Sequence, residues 1–594
     1  MIKTVIQFMK RFHNKFCSFF ILIVLPFFVF QKGYAQYLIP DLTFSSGSVS
    51  SENYSKIILD EDGNLYHLGI YLNITYIHNN LVPIYGSYNL ILSKYDQFGS
   101  FLWARTIAYS ARNKNIKDIV IHNGEFYLCG SNSDTLIFKN QYNFQNDTLK
   151  SVGLNDFFIA RLKLNGDLLS YRNYENENIQ SIQKIGFIDQ NIIFAGYFEN
   201  FIEFEPLNPT TYSSIYSENK KDIFIACIDT NYNLIWAKRA GGVENDVLKD
   251  MIIYDKNIYI TGSFVSYMNF NTPSSFNTNT LYSFGYGDMF VARYDRFGVP
   301  IWYKRAGSSY DYLNASGSLE FGSDIFANKH GLYIVGTALE YAHFNGPLDT
   351  NFIIFDDYYN FDSYAGFFVA HYDLNGGIQY VKDLKMQYHA LYFTLIEGSD
   401  KYYSICGYLN QNIEEYSTYY QNTLMFNKTQ SYDLITRLYD YNGNFITGAK
   451  CGGYNFGLIN DSKLGKNNLF INGFFGETMN FYDGETAVSQ IVSLGSNDFF
   501  VTRYPFPDFI IDSVETPNFS LKLFPNPAQS EIFITNSTEQ IGLQYVIYDI
   551  TGKNIFQGEL EQNINSINIS DFNQGIYFIE VLTPKPTTLK FVKY

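Results

Sequence analysis

The chain has 594 residues, 46% of them hydrophobic and 19% aromatic, and a formal charge of −16. A balance this acidic repels phosphate backbones, and no basic stripe offsets it, so nucleic acid is excluded as a partner. Five cysteines in such a length exclude a disulfide-built scaffold.

The N-terminus reads as a secretory signal peptide over residues 1–35. Lys3, Lys10, Arg11 and Lys15 precede a nearly unbroken apolar run, Phe16 to Phe30, and Gly33-Tyr34-Ala35 supplies small residues for cleavage between Ala35 and Gln36. The run falls short of the ~20 residues a membrane span needs. Removing this segment takes away five basic residues, Lys32 included, and shifts the formal charge from −16 to −21. Cys17 leaves with it. Cys129, Cys227, Cys406 and Cys451 read as buried free thiols in strands.

From residue 36 to 507 the chain repeats itself. The phrase NDFFIARLKLNGDLL at Asn155 returns with changes at Lys221, Gly287, Ala365, Tyr432 and Asn497, and an earlier copy starts at Tyr88. Its second positions are Asn89, Asp156, Asp222, Asp288, Gly366, Asp433 and Asp498, spaced by 67, 66, 66, 78, 67 and 65 residues. A second phrase precedes each copy, beginning at Ser55, Lys117, Lys249 and Ser323 among others. Both phrases set apolar and β-branched residues around a short turn such as Asn123-Gly124, Asn165-Gly166, Asn375-Gly376 or Asn442-Gly443. Asn-Gly tolerates positive φ at both positions, so each phrase is expected to be a hairpin. Two hairpins per unit, joined by a variable loop as at 271–284 and 345–360, give four strands. Seven four-stranded units imply a seven-bladed β-propeller. The wording also resembles the propeller repeats of secreted bacterial proteins.

Several residues invite a functional reading. Trp103, Trp236 and Trp302 fall at one position of three units, four residues past the turn, and are expected to wedge between neighbouring units. The Asp at each strand start is expected to hold local backbone, because a residue used in nearly every unit is structural. Asp60-Glu61-Asp62-Gly63-Asn64 lacks the bidentate acid of a calcium loop and sits at a hairpin turn. The histidines show no metal-ligand spacing. His371, which replaces the Arg of other copies, is expected to be a surface substitution. No catalytic, cofactor or metal residue is assigned. The seventh unit lacks an outer strand, because Pro505 and Pro507 forbid a hairpin return. The spare segment Tyr37 to Phe44 is expected to complete that unit and close the ring.

A linker over 508–519 leads to a different pattern over 520–594. Short alternating strands carry Pro525, Asn526 and Pro527 near the start. Asp549, Gly552 and Lys553 follow at a turn. Gly575 and Tyr577 open a late strand, and Lys590 and Lys593 lie in the last. These blocks, in this order behind a signal peptide, resemble the type A C-terminal sorting domain of the type IX secretion system. The resemblance implies a small antiparallel β-sandwich recognised by that machinery and then cleaved near the linker. The body would be attached to the outer-membrane surface or released. The expected fold is therefore all-β, a seven-bladed β-propeller followed by a small antiparallel β-sandwich. The expected function is a non-enzymatic binding or adhesion scaffold, with an extracellular glycan or protein as ligand. The alternatives are a propeller glycoside hydrolase, a polysaccharide lyase or a structural envelope component.

Overall fold

The structure is a computed structural model. It describes residues 37–47, 54–73, 75–78, 80–112, 115–132, 134–140, 147–151, 156–175, 179–204, 214–270, 280–284, 287–308, 320–339, 341–344, 352–354, 365–387, 395–409, 411–417, 422–429, 432–453, 457–506, 521–536, 543–551, 553–560, 564–581 and 587–594. The signal segment with Ala35 and Gln36, the 508–519 linker and Gly552 lie outside these residues, as do 271–279, 345–351 and 355–360 of the two loops singled out above. Every regular element among the described residues is a β-strand. No helix among them is long and apolar enough to cross a membrane. The chain divides into two compact units, Met1–Pro505 and Phe506–Tyr594.

In the first unit, each pair of hairpins forms one antiparallel sheet. Sheet I contains Ser55–Leu59, Leu65–Tyr71, Tyr88–Tyr95 and Phe101–Ser110. Sheets II, III and IV begin at Asn115–His122, Gln180–Ile188 and Val247–Tyr254; sheets V, VI and VII begin at Phe321–Asn328, Leu395–Gly398 and Gly457–Leu464. These first strands pack side by side in chain order, and that of sheet VII packs again on that of sheet I. Hydrophobic clusters fill the spaces between consecutive sheets. Leu68, Leu92 and Leu128 join I to II, Phe157 and Phe194 join II to III, and Val335, Tyr403 and Ile435 join V to VI. Each sheet is thus buried on both faces. That explains why second and third strands such as Leu65–Tyr71 and Asp222–Ile228 are buried at all seven positions instead of alternating.

The last strand of sheet VII comes from the other end of the unit. Leu42–Gly47 pairs antiparallel with Asp498–Pro505, from Leu42 opposite Arg503 to Ser46 opposite Phe499. This strand starts later than Tyr37, because Pro40 has no N–H to give a ladder. Before it, Leu38 donates its N–H to Gly448 O (2.8 Å) in sheet VI, and Tyr37 its hydroxyl to Met425 O (2.6 Å) in the hairpin between that sheet's second and third strands.

The connections between second and third strands are hairpins in their own right, which the sequence did not reveal. Most of them reach back to the outermost strand of the preceding sheet. Leu136–Phe138 of II pairs with Phe101–Ser110 of I. Tyr341–Phe344 of V pairs with Pro300–Gly307 of IV, and Thr478–Asp483 of VII pairs with Phe445–Gly453 of VI. Thr75–Ile77 of sheet I pairs with Leu42–Gly47 of sheet VII.

The turns differ from the expected two-residue type. Only at Asn123-Gly124 do both residues of the Asn-Gly pair have positive φ. At Gly166, Gly376 and Gly443 the glycine alone does, which is the three-residue turn with one left-handed position. An aspartate explains the choice in most units. Asp373 Oδ1 accepts the N–H groups of Asn375 (2.8 Å) and Gly377 (3.0 Å), and Asp440 does the same for Asn442 and Asn444, both at 2.9 Å. A Cβ at Gly376 would also lie 2.9 Å from the ring of Trp302 in the preceding sheet, whose Nε1 donates to Leu374 O at 3.0 Å. Trp302 therefore wedges between sheets as expected, and Trp236 occupies the same relation to Gly298.

Among its described residues the second unit has seven strands in two sheets. One orders Leu521–Phe524, Glu531–Asn536 and Ile564–Asn568; the other orders Asn554–Leu560, Leu543–Asp549, Gly575–Val581 and Thr587–Lys593. A single cluster including Ile532, Ile547, Ile567, Ile579 and Phe591 fills it.

Candidate functional site

The first strands of sheets I to VII surround the axis of the first unit, and their side chains decide what lines it. In five of them a β-bulge inserts one residue at the same register: Lys117, Gln183, Lys249, Ser323 and Asn460. A repeated glycine on the second strand permits this. A Cβ at Gly130 would come within 2.7 Å of Asn115 O, and Gly196, Gly262, Gly336 and Gly473 face the equivalent carbonyls of Ser181, Val247, Phe321 and Leu458 more closely still. Sheet I, where the same place holds Gly69, has no such carbonyl contact and no bulge. Bulges of this kind re-aim side chains, and here they add a polar layer to the axis.

The next residue along completes a second layer: Lys56, Asp118, Lys184, Asp250, Asp324, Leu395 and Asp461. Its aspartates bridge to the following sheet. Asp118 accepts the Ile185 N–H (3.2 Å), Asp250 that of Ile325 (2.8 Å), Asp324 that of Ile396 (2.9 Å) and Asp461 that of Ile57 (3.2 Å). Three lysines pair with acids around the axis. Lys184 Nζ lies 2.7 Å from Asp250, Lys463 Nζ lies 2.9 Å from Glu397, and Lys56 Nζ lies 3.6 Å from Asp461. Side-chain exposures of 25% for Lys184 and 37% for Lys463 mean that water reaches this interior.

The electrostatics follow from burial against partners. Burial opposes the charge of Lys184, but Asp250, Asp118 and Asp324 outweigh it and hold the ammonium well above its ordinary range. Burial also raises Asp250, yet Lys184 reverses that and keeps it ionised. For Asp324 the same lysine is not enough. Burial and the neighbouring Asp250 charge push it well above the carboxylate range, so it keeps its proton and shares a hydrogen bond with Asp250.

A second polar cluster lies between sheets V and VI. His371 is buried, not on the surface as its sequence suggested. It stacks on Tyr333 at 4.2 Å, and its Nε2 is 3.1 Å from His330 O. The stacking plane that Tyr333 offers takes an imidazole as readily as a guanidinium. Nearby, the side chain of Arg437 is fully buried and donates to Glu415 Oε1 (2.9 Å) and Leu384 O (2.9 Å). Tyr439 donates to the same carboxylate at 3.0 Å, and Lys382 lies 3.4 Å away. Glu415→Gln is expected to cost about 3 kcal/mol, because it leaves a buried guanidinium uncompensated. Burial pushes Glu415 up, but Arg437 and Lys382 carry it below the usual range. Its stabilisation is therefore full above the ordinary pKa of about 4.3 and fades as pH falls through the depressed value. Urea midpoints of both proteins at neutral and acidic pH check this: the gap closes in acid, and equal midpoints at neutral pH contradict it.

The repeated strand-start acids hold local backbone, as expected. Asp288 Oδ2 accepts the Phe284 N–H (2.8 Å), Asp433 that of Thr429 (2.6 Å) and Asp498 that of Leu494 (2.7 Å). Asp60 serves its turn, accepting the N–H groups of Asp62 (3.1 Å) and Asn64 (2.8 Å). No group of three or more His, Cys, Asp or Glu positioned to hold a metal is found among the described residues.

In the second unit the motif residues fall into two groups. Asn526, between Pro525 and Pro527, clamps the terminal strand: its Nδ2 donates to Lys590 O and its Oδ1 accepts the Val592 N–H, both at 2.9 Å. Ala528 extends the clamp through Val592 O (2.8 Å) and the Tyr594 N–H (3.1 Å). Lys590 is exposed, and Lys593 pairs in register with Gly575. Asp549 Oδ1 accepts the N–H groups of Thr551 (2.8 Å) and Lys553 (3.1 Å), the turn device of the first unit again. Tyr577 sits opposite Asp549 and stacks on Phe591 at 5.4 Å. At Gly575 a Cβ would meet nothing nearer than 3.9 Å, so space does not demand glycine there.

Comparison with known proteins bears on this second unit. A family model described as a secretion system C-terminal sorting domain matches residues 522–593. The beta-agarase A of Zobellia galactanivorans is 33% identical over 70 residues, and the match spans 12% of this chain and 12% of that protein. Among solved structures, a protein of unknown function from Dyadobacter fermentans aligns with 80% of this chain and 100% of its own, at 8% identity and a TM-score of 0.34. The phage phi92 endosialidase aligns with 89% of this chain and 74% of its own, at 9% and 0.30. PorZ, a surface component of the type IX secretion system of Porphyromonas gingivalis, aligns with 92% and 93%, at 12% and 0.15. Scores this low define no shared fold beyond the all-β class. The C-terminal unit is a type IX sorting domain, and it directs the protein out of the cell, to the surface or beyond.

Proposed function

We propose that residues 36–507 are a seven-bladed β-propeller closed by the N-terminal strand, and that 520–594 are a β-sandwich joined to it by the 508–519 linker. The cyclic packing of the first strands and the pairing of Leu42 with Arg503 support the first part. The sorting sandwich is read by the secretion machinery through the residues around Asn526, Asp549, Lys553, Tyr577, Lys590 and Lys593. The propeller it delivers is a non-enzymatic binding or adhesion scaffold, attached to the outer-membrane surface or released, with an extracellular glycan or protein as ligand.

One observation carries the non-enzymatic reading. The four aspartates on the axis are each spent on a backbone N–H of the next sheet, so they hold the ring and are not poised for chemistry. The runner-up is a glycoside hydrolase or lyase, favoured by the Asp250–Asp324 pair, in which one carboxyl is ionised and the other neutral. A glycan array and a polysaccharide-degradation panel, both run on the secreted protein, separate the two. Retention of glycans without turnover is expected. Turnover that Asp324→Asn abolishes would establish the enzyme instead.

A further inference from the structure

The hairpins that join the second and third strands of sheets III and IV share a surface feature. The first consists of Phe201–Glu203 and Ser214–Tyr216, the second of Tyr267–Asn269 and Thr280–Tyr282. Their middle residues Ile202 and Met268 are buried in the core and anchor each hairpin. Strand alternation then turns the neighbouring side chains outward. There both hairpins carry a cross-strand pair of rings: Phe201 opposite Tyr216 with centroids 6.0 Å apart, and Tyr267 opposite Tyr282 at 6.3 Å. Tyr216 and Tyr282 are 65% and 61% exposed. In sheets I, II and VI the outward pairs are Tyr76 with Leu81, Ile137 with Thr148 and Glu414 with Met425, so the fold does not require two rings. Contact between the sheets links the two ring pairs. Asn269 and Gly241 exchange backbone hydrogen bonds at 3.0 and 3.1 Å, which lays the hairpin of IV on the outermost strand of III. Tyr267 donates its hydroxyl to Oε1 of Glu218, two residues past Tyr216, at 2.6 Å. Oε2 of Glu218 accepts from the buried Arg239 at 2.8 Å.

We propose that the ring pairs Phe201–Tyr216 and Tyr267–Tyr282 form a binding surface for a neutral polysaccharide chain. The C–H face of a pyranose ring packs on the electron-rich face of an aromatic ring, and a tyrosine adds a hydroxyl at its rim. The bridge from Arg239 through Glu218 to Tyr267 fixes one ring in advance, which lowers the ordering cost of binding. The charges select the class of chain. Arg239 is committed to Glu218 and Asp222, Lys220 to Glu244 at 2.5 Å, and the protein is formally −16, so a sulfated or carboxylated chain is repelled. A stable protein partner needs about 800 Å² on each side, whereas these are two small platforms with a carboxylate between them. The inference deepens the binding-scaffold reading and rests on it for the glycan.

The test runs the full secreted chain by native affinity electrophoresis in gels cast with laminarin, glucomannan or xyloglucan, and with carrageenan as the sulfated counterpart. Retardation by at least one neutral polysaccharide and none by carrageenan is expected. Tyr216→Ala combined with Tyr282→Ala should weaken that binding about tenfold. Its melting temperature should stay within about 1 °C of the wild type, because both rings are exposed. Tyr216→Phe with Tyr282→Phe retains the rings and should retain most of the binding. Equal retardation in the alanine variant overturns the site but leaves the scaffold reading standing, since the glycan is then held elsewhere. No retardation in any neutral gel, or retardation by carrageenan alone, overturns the site as well. Binding lost in the alanine variant, together with shortening of the polysaccharide by the wild type, supports the site and overturns the non-enzymatic reading instead.

Discussion

Deleting residues 36–46 is expected to lower the melting temperature of the first unit by roughly ten degrees or more, the largest stability effect available from so short a segment. The segment contributes the outermost strand of sheet VII, with five registered pairs to Asp498–Pro505. It buries Leu38 and Phe44, and Asp41 forms a two-pronged pair with Arg503 at 2.8 and 2.9 Å. Two large apolar side chains at about 2 kcal/mol each, and a ladder of hydrogen bonds near 1 kcal/mol each, give a loss of about 8 kcal/mol. The loss does not stop at one strand. Thr75–Ile77 of sheet I pairs with Ser46 and Gly47, so the deletion also frees the clasp of the first sheet. The strand Asp498–Pro505 then presents an open edge, a template for association with other copies. Differential scanning calorimetry measures the shift, and light scattering at rising concentration measures the association. An unchanged melting temperature would show that the strand is ornamental and that sheet VII is stable with three strands.

The second large effect concerns export. Deleting 520–594 is expected to abolish appearance of the protein at the surface and in the medium while synthesis continues, because the sorting domain is lost entirely. Asn526→Ala is the finer version. It removes both side-chain hydrogen bonds that clamp the terminal strand at Lys590 and Val592, at about 2 kcal/mol. A domain of this size buries only about 60% of its unfolded surface, so it has little stability in reserve, and a several-fold fall in exported protein is expected. Fractionation into periplasm, outer surface and medium, with immunoblotting against the first unit, reads both variants. Wild-type export of Asn526→Ala would mean that the machinery does not depend on the latched strand.

The parts of this molecule that were legible in its sequence are those in which one residue type solves one local problem. The aspartate that accepts two turn N–H groups, and the glycine with positive φ beside it, recur at Asp373-Gly376 and Asp440-Gly443 and mark the hairpins. The missing partner of Asp498–Pro505 was visible because proline forbids a return. The hidden parts depend on pairs of residues far apart in the chain. The glycine at 130 looks like any strand glycine until Asn115 O is placed against its Cα, and only then does the bulge at Lys117 make sense. The axial aspartates look like ordinary strand acids, since their partners are backbone groups of the following sheet. The hairpins between second and third strands are three residues a side in several units, too short to leave a periodicity. The burial of His371 was not legible, because an exposed exchange and a stacked one are the same letter.

The backward-reaching hairpins also set a timetable. The hairpin in sheet II holds the outer edge of sheet I, that of V holds IV, and that of VII holds VI. In a chain that emerges N-terminus first, each of these three sheets therefore brings a fastening for its predecessor. The first sheet differs, because its hairpin grips a strand that has no home until Asp498–Pro505 arrives. Assembly so arranged ends in a closing event, in which the oldest segment of the unit and its youngest sheet must meet.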